Sequence, residues 1–183
     1  MTKRLDASIK AQRAAERRKT SSIRVDGALA YIQLLNGGVA LIDTADVELV
    51  AGRGWSHNKV DGTTYVCSYQ FGGGKRTYLH RFLVQAPRGW TVDHADLDGL
   101  NNRRGNLRVA SKAENGANRG APQNNTSGAK GVIRYARNRN LYVAQIGGGR
   151  KHKHLGIFDS REAAQAAYFA AAIKQYGQFA RAQ

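Results

Sequence analysis

Three glycine clusters, Gly37-Gly38, Gly72-Gly73-Gly74 and Gly147-Gly148-Gly149, each lie between two short apolar runs. That arrangement constrains the chain more than any other feature. Glycine turns a backbone without steric cost, and apolar runs this short suit strands better than helices. Residues 31–35 and 39–42 are predicted to pair across Asn36-Gly37-Gly38, and residues 64–69 and 76–80 across the second cluster. Residues 43–50 read as one or two helical turns. Further on, residues 130–135, 141–146 and 152–158 read as three strands, turned at residues 138–140 and at the third cluster. An alanine-rich helix follows, opened by Asp159 and Glu162 at capping-box spacing and running to Gly177. The expected fold is α+β: a small N-terminal β module, a central motif, and a C-terminal three-stranded antiparallel sheet packed on one helix.

Charge bears on the partner. Against 13 Asp+Glu stand 29 Lys+Arg, a formal net charge of +16 over 183 residues. Clustered Lys and Arg gain affinity by displacing counterions from phosphates, so a polyanion is the expected partner. Residues 1–22 have too few large apolar residues to dock on a core and read either as a basic arm that orders on a phosphate backbone or as a frayed solubilising tail. Between Glu114 and Asp159, 44 consecutive residues hold no acid and eight Lys or Arg. A single cysteine, Cys67, excludes an internal disulfide and a multi-cysteine zinc cluster, so no structural zinc is expected. The longest apolar stretch, residues 163–173, is too short for a bilayer, and no secretion signal is evident. The expectation is a soluble, cytoplasmic protein with no membrane partner. The domains expected are an arm (1–22), a mostly β module (23–78), a central motif (79–119), a linker (120–129) and a C-terminal unit (130–183).

Residues 91–110 carry the chemistry. A short apolar strand at each end brackets a polar loop of Asp, Asn, Gly and Arg, and Ser111 with Glu114 then matches a capping box. Hydrolysing a phosphodiester needs a hard cation held by oxygen ligands, a base near neutrality, and a group that fixes that base in one tautomer. Asp93 and Asn115 offer a carboxylate and an amide oxygen for the cation. His94 offers the base, and Asn106 can be the group that orients it.

Leu79-His80-Arg81, Val92-Asp93-His94, Asn102-Arg103-Arg104, Asn106-Leu107-Arg108, Glu114-Asn115 and Asn118 together resemble the HNH endonucleases, above all the phage-type and intron-homing branch. The resemblance implies a ββα-metal site: Asp93 and Asn115 on one Mg²⁺, Mn²⁺ or similar cation, His94 as general base, Asn106 positioning it. It implies two roles to choose between for His80, bracing the hairpin or touching the scissile phosphate, with bracing ahead. Arg103, Arg104 and Arg108 are expected on phosphates, with Arg108 alternatively pairing Asp96 or Asp98; Asn118 is matched more loosely. Many family members staple this motif with cysteine-bound zinc, which this chain cannot do. Its small core must therefore be held by the preceding β module, and by contacts in a homodimer if one forms.

The C-terminal unit is similar to the APETALA-two/ethylene-response-factor DNA-binding domain, carried by Ser127-Gly128-Ala129-Lys130-Gly131-Val132, Tyr142-Val143-Ala144-Gln145-Ile146, His154-Leu155-Gly156-Ile157-Phe158 and Ala167-Tyr168. That family lays its sheet in the major groove, which admits a β-ribbon. By alternation Tyr142, Ala144 and Ile146 face the helix while Leu141, Val143 and Gln145 face outward. Base-contacting positions carried across include Lys130, Arg137, Gln145, His152 and His154; Arg134, Arg139, Arg150 and Lys151 are expected on phosphates. Trp55 and Trp90 read as packing residues and Cys67 as an inert thiol. The function expected is metal-dependent cleavage of double-stranded DNA: one site per chain nicks, and a dimer is needed for a concerted double-strand break. The rival is a DNA-binding regulator with an inactive nuclease motif.

Overall fold

A computed structural model describes residues 19–60, 62–69, 76–122, 124–138, 140–148 and 151–181, with the backbone alone at residues 148 and 151. Most of the N-terminal arm, the Gly72–Gly74 turn, Gly149, Arg139, Arg150 and the Lys151 side chain lie outside the described residues. The chain divides into two compact units: one takes the described residues up to Arg88 with Val92–Val109, the other takes Gly89–Thr91 and the described residues from Ala110 onward. The division falls inside the central motif.

In the first unit, β1 (Ile23–Asp26), β2 (Leu29–Gln33) and β3 (Val39–Asp43) form an antiparallel sheet in that order. The β2–β3 turn has Gly37 and Gly38 at φ 93° and 82°, which L side chains avoid. A 3₁₀ turn (Thr44–Asp46) and α1 (Val47–Val50) follow, where helical turns were expected. A second antiparallel sheet holds β4 (Ser56–Val60), β5 (Thr63–Tyr69) and β6 (Arg76–Tyr78). The strand expected to end at His80 stops at Tyr78. Leu79 and His80 begin α2 (Leu79–Val84), because Leu79 and Leu83 recur at helical spacing and both reach the core. Strands β7 (Thr91–His94) and β8 (Leu107–Ala110) form the third sheet.

One hydrophobic cluster joins these pieces. Ala30, Ile32, Ala40 and Ile42 from the first sheet meet Trp55, Val66, Leu79 and Leu83, together with Val92 and Leu107 from the β7–β8 pair. The β module and the motif thus share a core. Backbone bonds extend the junction: Leu41 N donates to Leu100 O at 2.9 Å and Asn102 N to Leu41 O at 2.7 Å. At Gly99 a Cβ would collide with the Thr64 carbonyl, so the motif loop can lie on β5 only as glycine.

The second unit begins with α3 (Lys112–Asn118), opened by the predicted capping box of Ser111 and Glu114. Strands β9 (Val132–Arg134), β10 (Tyr142–Gly148) and β11 (Lys151–Phe158) form an antiparallel sheet with β10 central, and α4 (Arg161–Tyr176) covers one face. The side-chain cap of α4 is Ser160, accepting from Ala163 N, one residue after the expected Asp159. Val143 registers with Ile133 and Ile157 on the outer face, and these neighbours bury it. Residues 125–129, read as part of a linker, form a bonded turn: Asn125 Oδ1 accepts from the backbone N–H groups of Ser127 and Gly128, and Ala129 enters the core. Trp90, expected to pack, is 45% exposed. No helix among the described residues is long and apolar enough to cross a membrane.

Candidate active site

Strand β7 ends in Asp93 and His94, both buried, and the turn that follows lets the two consecutive side chains serve one region. The turn closes with Ala95 N donating to Asn106 O at 2.9 Å, and Leu97 takes a left-handed φ of 69°. Asp96 organises the loop interior. Its Oδ1 accepts from Asp98 N and Asn106 Nδ2, its Oδ2 from Asn101 Nδ2. These bonds hold the Asp96 carboxyl below its usual range against a desolvation cost that acts the other way.

The imidazole of His94 is oriented by Asn102, not by Asn106. Asn102 is fully buried; its Nδ2 donates to Gly99 O at 3.1 Å, which aims Oδ1 at His94 Nε2, 3.4 Å away. An amide oxygen only accepts, so Nε2 carries the proton and Nδ1 is the basic nitrogen. Asn106, expected in this role, spends its amide on Asp96 and on Asn101 O, and so braces the loop that follows His94. Burial pushes the His94 pKa down, outweighing the Asn102 bond and the aspartates that pull it up. The imidazole is therefore neutral at physiological pH.

A box of aromatic rings encloses it. His80 meets the His94 ring edge-on, with centroids 5.1 Å apart, while Tyr65 lies 5.5 Å from His80 and 5.9 Å from His94. Tyr78 stacks on His80 at 5.6 Å. His80 is buried, its Nδ1 without a hydrogen bond, and burial followed by the neighbouring His94 lowers its pKa to about 3. It sits on α2, not in a hairpin.

Two motif arginines are committed to carboxylates. Arg108 Nη2 donates to Asp93 Oδ2 at 2.5 Å, a carboxylate that was not among its expected partners. Arg104, expected on phosphate, directs Nε and Nη2 at the buried Asp46 and its backbone N–H at Asp43, tying the loop to the β module. Arg103 Nε donates to Asn101 Oδ1 at 3.0 Å.

In the second unit, Asn115 and Asn118 lie on α3, half-buried and buried respectively. The Asn115 side-chain amide makes no hydrogen bond among the described residues. Lys130, expected on a base edge, is buried: Nζ donates to the carbonyls of Gly116, Ala117 and Arg119 at 3.0, 2.5 and 2.5 Å, closing the C-terminal end of α3. Its pKa falls to about 8 through burial and the nearby Arg181. Arg134 lies over the Tyr142 ring at 5.4 Å, while Arg137, His152 and His154 are exposed. Gln145 is half-buried and pairs with His154 just after a β-bulge.

Sequence reasoning missed Asn102, Asp46 and the two tyrosines. Asn102 stands in the Asn102-Arg103-Arg104 element of the motif, but the sequence assigned it no role.

Residues 78–117 match the family model described as HNH endonuclease. The chain is 33% identical to Protein 3.8 of Escherichia phage T7 over 98 residues, covering 52% of this chain and 77% of that protein. It is 28% identical over 170 residues to the uncharacterized HNH endonuclease L560 of Acanthamoeba polyphaga mimivirus, covering 88% of this chain and 84% of the relative. No solved structure matches it.

Proposed function

We propose that this chain, whose residues 78–117 match a family model described as HNH endonuclease, hydrolyses phosphodiester bonds in double-stranded DNA with His94 as general base. The observation that carries this reading is the buried neutral imidazole, fixed by Asn102 with Nδ1 as its basic nitrogen. Nδ1 takes the proton of the attacking water; a base with its pKa held below neutrality is ready to do so without first losing a proton.

Asp93 and Asn115 are the proposed ligands of one divalent cation. Their donors are all oxygen, which suits Mg²⁺ or Mn²⁺, and such ions take much of their coordination from water and substrate phosphate. No group of three His, Cys, Asp or Glu poised for a metal exists among the described residues. When bound, the cation would offset charge developing on the phosphate. Arg108 holds the Asp93 carboxylate in place, and His80, with Tyr65 and Tyr78, keeps water away from the far side of the imidazole.

The outer face of the C-terminal sheet is the proposed DNA-reading surface. Gln145, His152 and His154 offer hydrogen-bonding groups, with Arg137 nearby in sequence, and the Ile133–Val143–Ile157 row offers apolar contact of the kind thymine methyls accept. One such site per chain nicks; a homodimer would cut both strands.

Plasmid nicking tests the reading. The parent should nick with Mg²⁺ and stop with EDTA, and His94→Ala should lose about 10²- to 10⁴-fold in rate. A His94→Ala protein that nicks like the parent removes the base assignment; a parent that binds DNA and never nicks is the inactive regulator. Removing residues 120–183 is a poor test of targeting, because Lys130 and Phe179 support α3. Gln145→Ala with His154→Ala probes the sheet without that damage.

A further inference from the structure

Arg76 was singled out by nothing in the sequence, yet its setting differs from that of Arg104 and Arg108. Those two face the carboxylates of Asp46 and Asp93. Arg76 faces two neutral phenols: Nε and Nη2 donate to the Tyr69 hydroxyl at 2.9 and 2.5 Å, and Nη1 to the Tyr78 hydroxyl at 3.3 Å. Its guanidinium lies 5.2 Å from the Tyr69 ring centroid and 6.0 Å from that of Tyr78. The side chain is thus held in place with no carboxylate paired to it among the described residues.

Donor bookkeeping points the same way. A guanidinium has five N–H groups and three are spent on the phenols, leaving two. A phenol oxygen that accepts from arginine must aim its own O–H elsewhere. Among the described residues two N–H and two O–H donors therefore remain around one fixed positive charge, and Tyr69 is 50% exposed. Geometry also links this cluster to the base. Arg76 pairs with Tyr69 across β5 and β6, Tyr78 lies two residues along β6, its ring stacks on His80, and His80 meets His94.

We propose that Arg76, with the hydroxyls of Tyr69 and Tyr78, forms an anion site that grips a backbone phosphate of the DNA strand next to the bond that is cut. This rests on the nuclease reading for its substrate. Planar guanidinium donors suit phosphate oxygens, and a chain with a net charge of +16 is complementary to that backbone.

The test is binding of the full-length His94→Ala protein to a duplex oligonucleotide across a salt series, by fluorescence anisotropy. Arg76→Gln should weaken binding about fivefold to tenfold and flatten the slope of log K against log salt by about 0.9, the worth of one phosphate. Arg76→Lys should keep the slope. An unchanged slope in Arg76→Gln, or equal losses in the Gln and Lys variants, overturns the proposal. Tyr69→Phe should weaken binding; if it binds normally while Tyr69→Ala does not, the ring stacks on a base and the anion site is wrong. A parent that never nicks, but whose salt slope depends on Arg76, sinks the nuclease reading and leaves the phosphate site standing.

Discussion

The two units are built to different standards of packing. The first has one cluster in which Trp55, Ile32, Ile42, Leu79, Val50 and Val66 are wholly buried. The second divides its interior among three small clusters in which alanine supplies most of the buried members, Ala129, Ala144, Ala164, Ala172, Ala110 and Ala117 among them. Large side chains bury more apolar area each, so the first unit can hold two histidines and two carboxylates in its interior and still fold. The second has less to spend and leans on hydrogen bonds: the Ser111–Glu114 box, the Ser160 cap, the Asn125 turn and the Lys130 ammonium.

That contrast can be broken at its strongest point first. Trp55→Ala should cost about 3–5 kcal/mol and abolish the cooperative melt of the first unit, read by calorimetry. A loss under 1 kcal/mol would mean the shared core does not hold it. Next, Lys130→Ala leaves three carbonyls at the end of α3 without their donor and should cost the second unit about 2–3 kcal/mol, seen as faster amide exchange in residues 112–119. If exchange there is unaltered, α3 does not depend on the ammonium.

The acid response sharpens the comparison. His80 has a folded pKa of about 3 against a reference of 6.5, so the unfolded chain takes a proton below pH 6.5 that the folded chain refuses until about pH 3. Its stability contribution is complete above pH 6.5 and falls between 6.5 and 3, by about 1.4 kcal/mol per pH unit. Denaturant titrations of His80→Phe should show a shallower acid limb for the first unit than the parent; parallel limbs would remove His80 as the cause. The smallest effect belongs to the second unit, where Ser160→Ala should cost about 1 kcal/mol by loss of the α4 cap.

What was legible in the sequence was local. Hairpin signals, the Ser111–Glu114 box and the Asp93-His94 pair at a strand end all depend on neighbours a few residues away, and each is found in the structure. What was missed depends on distance along the chain. Asp46 lies 58 residues from Arg104, so no local pattern distinguishes an arginine bound to carboxylate from one awaiting phosphate. Asn102 and Asn106 are chemically equivalent, and only the way Gly99 and Leu41 seat the loop decides which amide meets the imidazole. Lys130 reads as a base contact only through the resemblance of the C-terminal unit, and its ammonium is instead caged by carbonyls.

That cage has a chemical signature. An amine with a pKa near 8 would ordinarily outrun other lysines in acylation at neutral pH, yet a reagent cannot reach an Nζ enclosed by three peptide oxygens. Lys130 should therefore be spared by brief exposure to an N-hydroxysuccinimide ester and become reactive only when the end of α3 opens, making its modification rate a clock for that fraying.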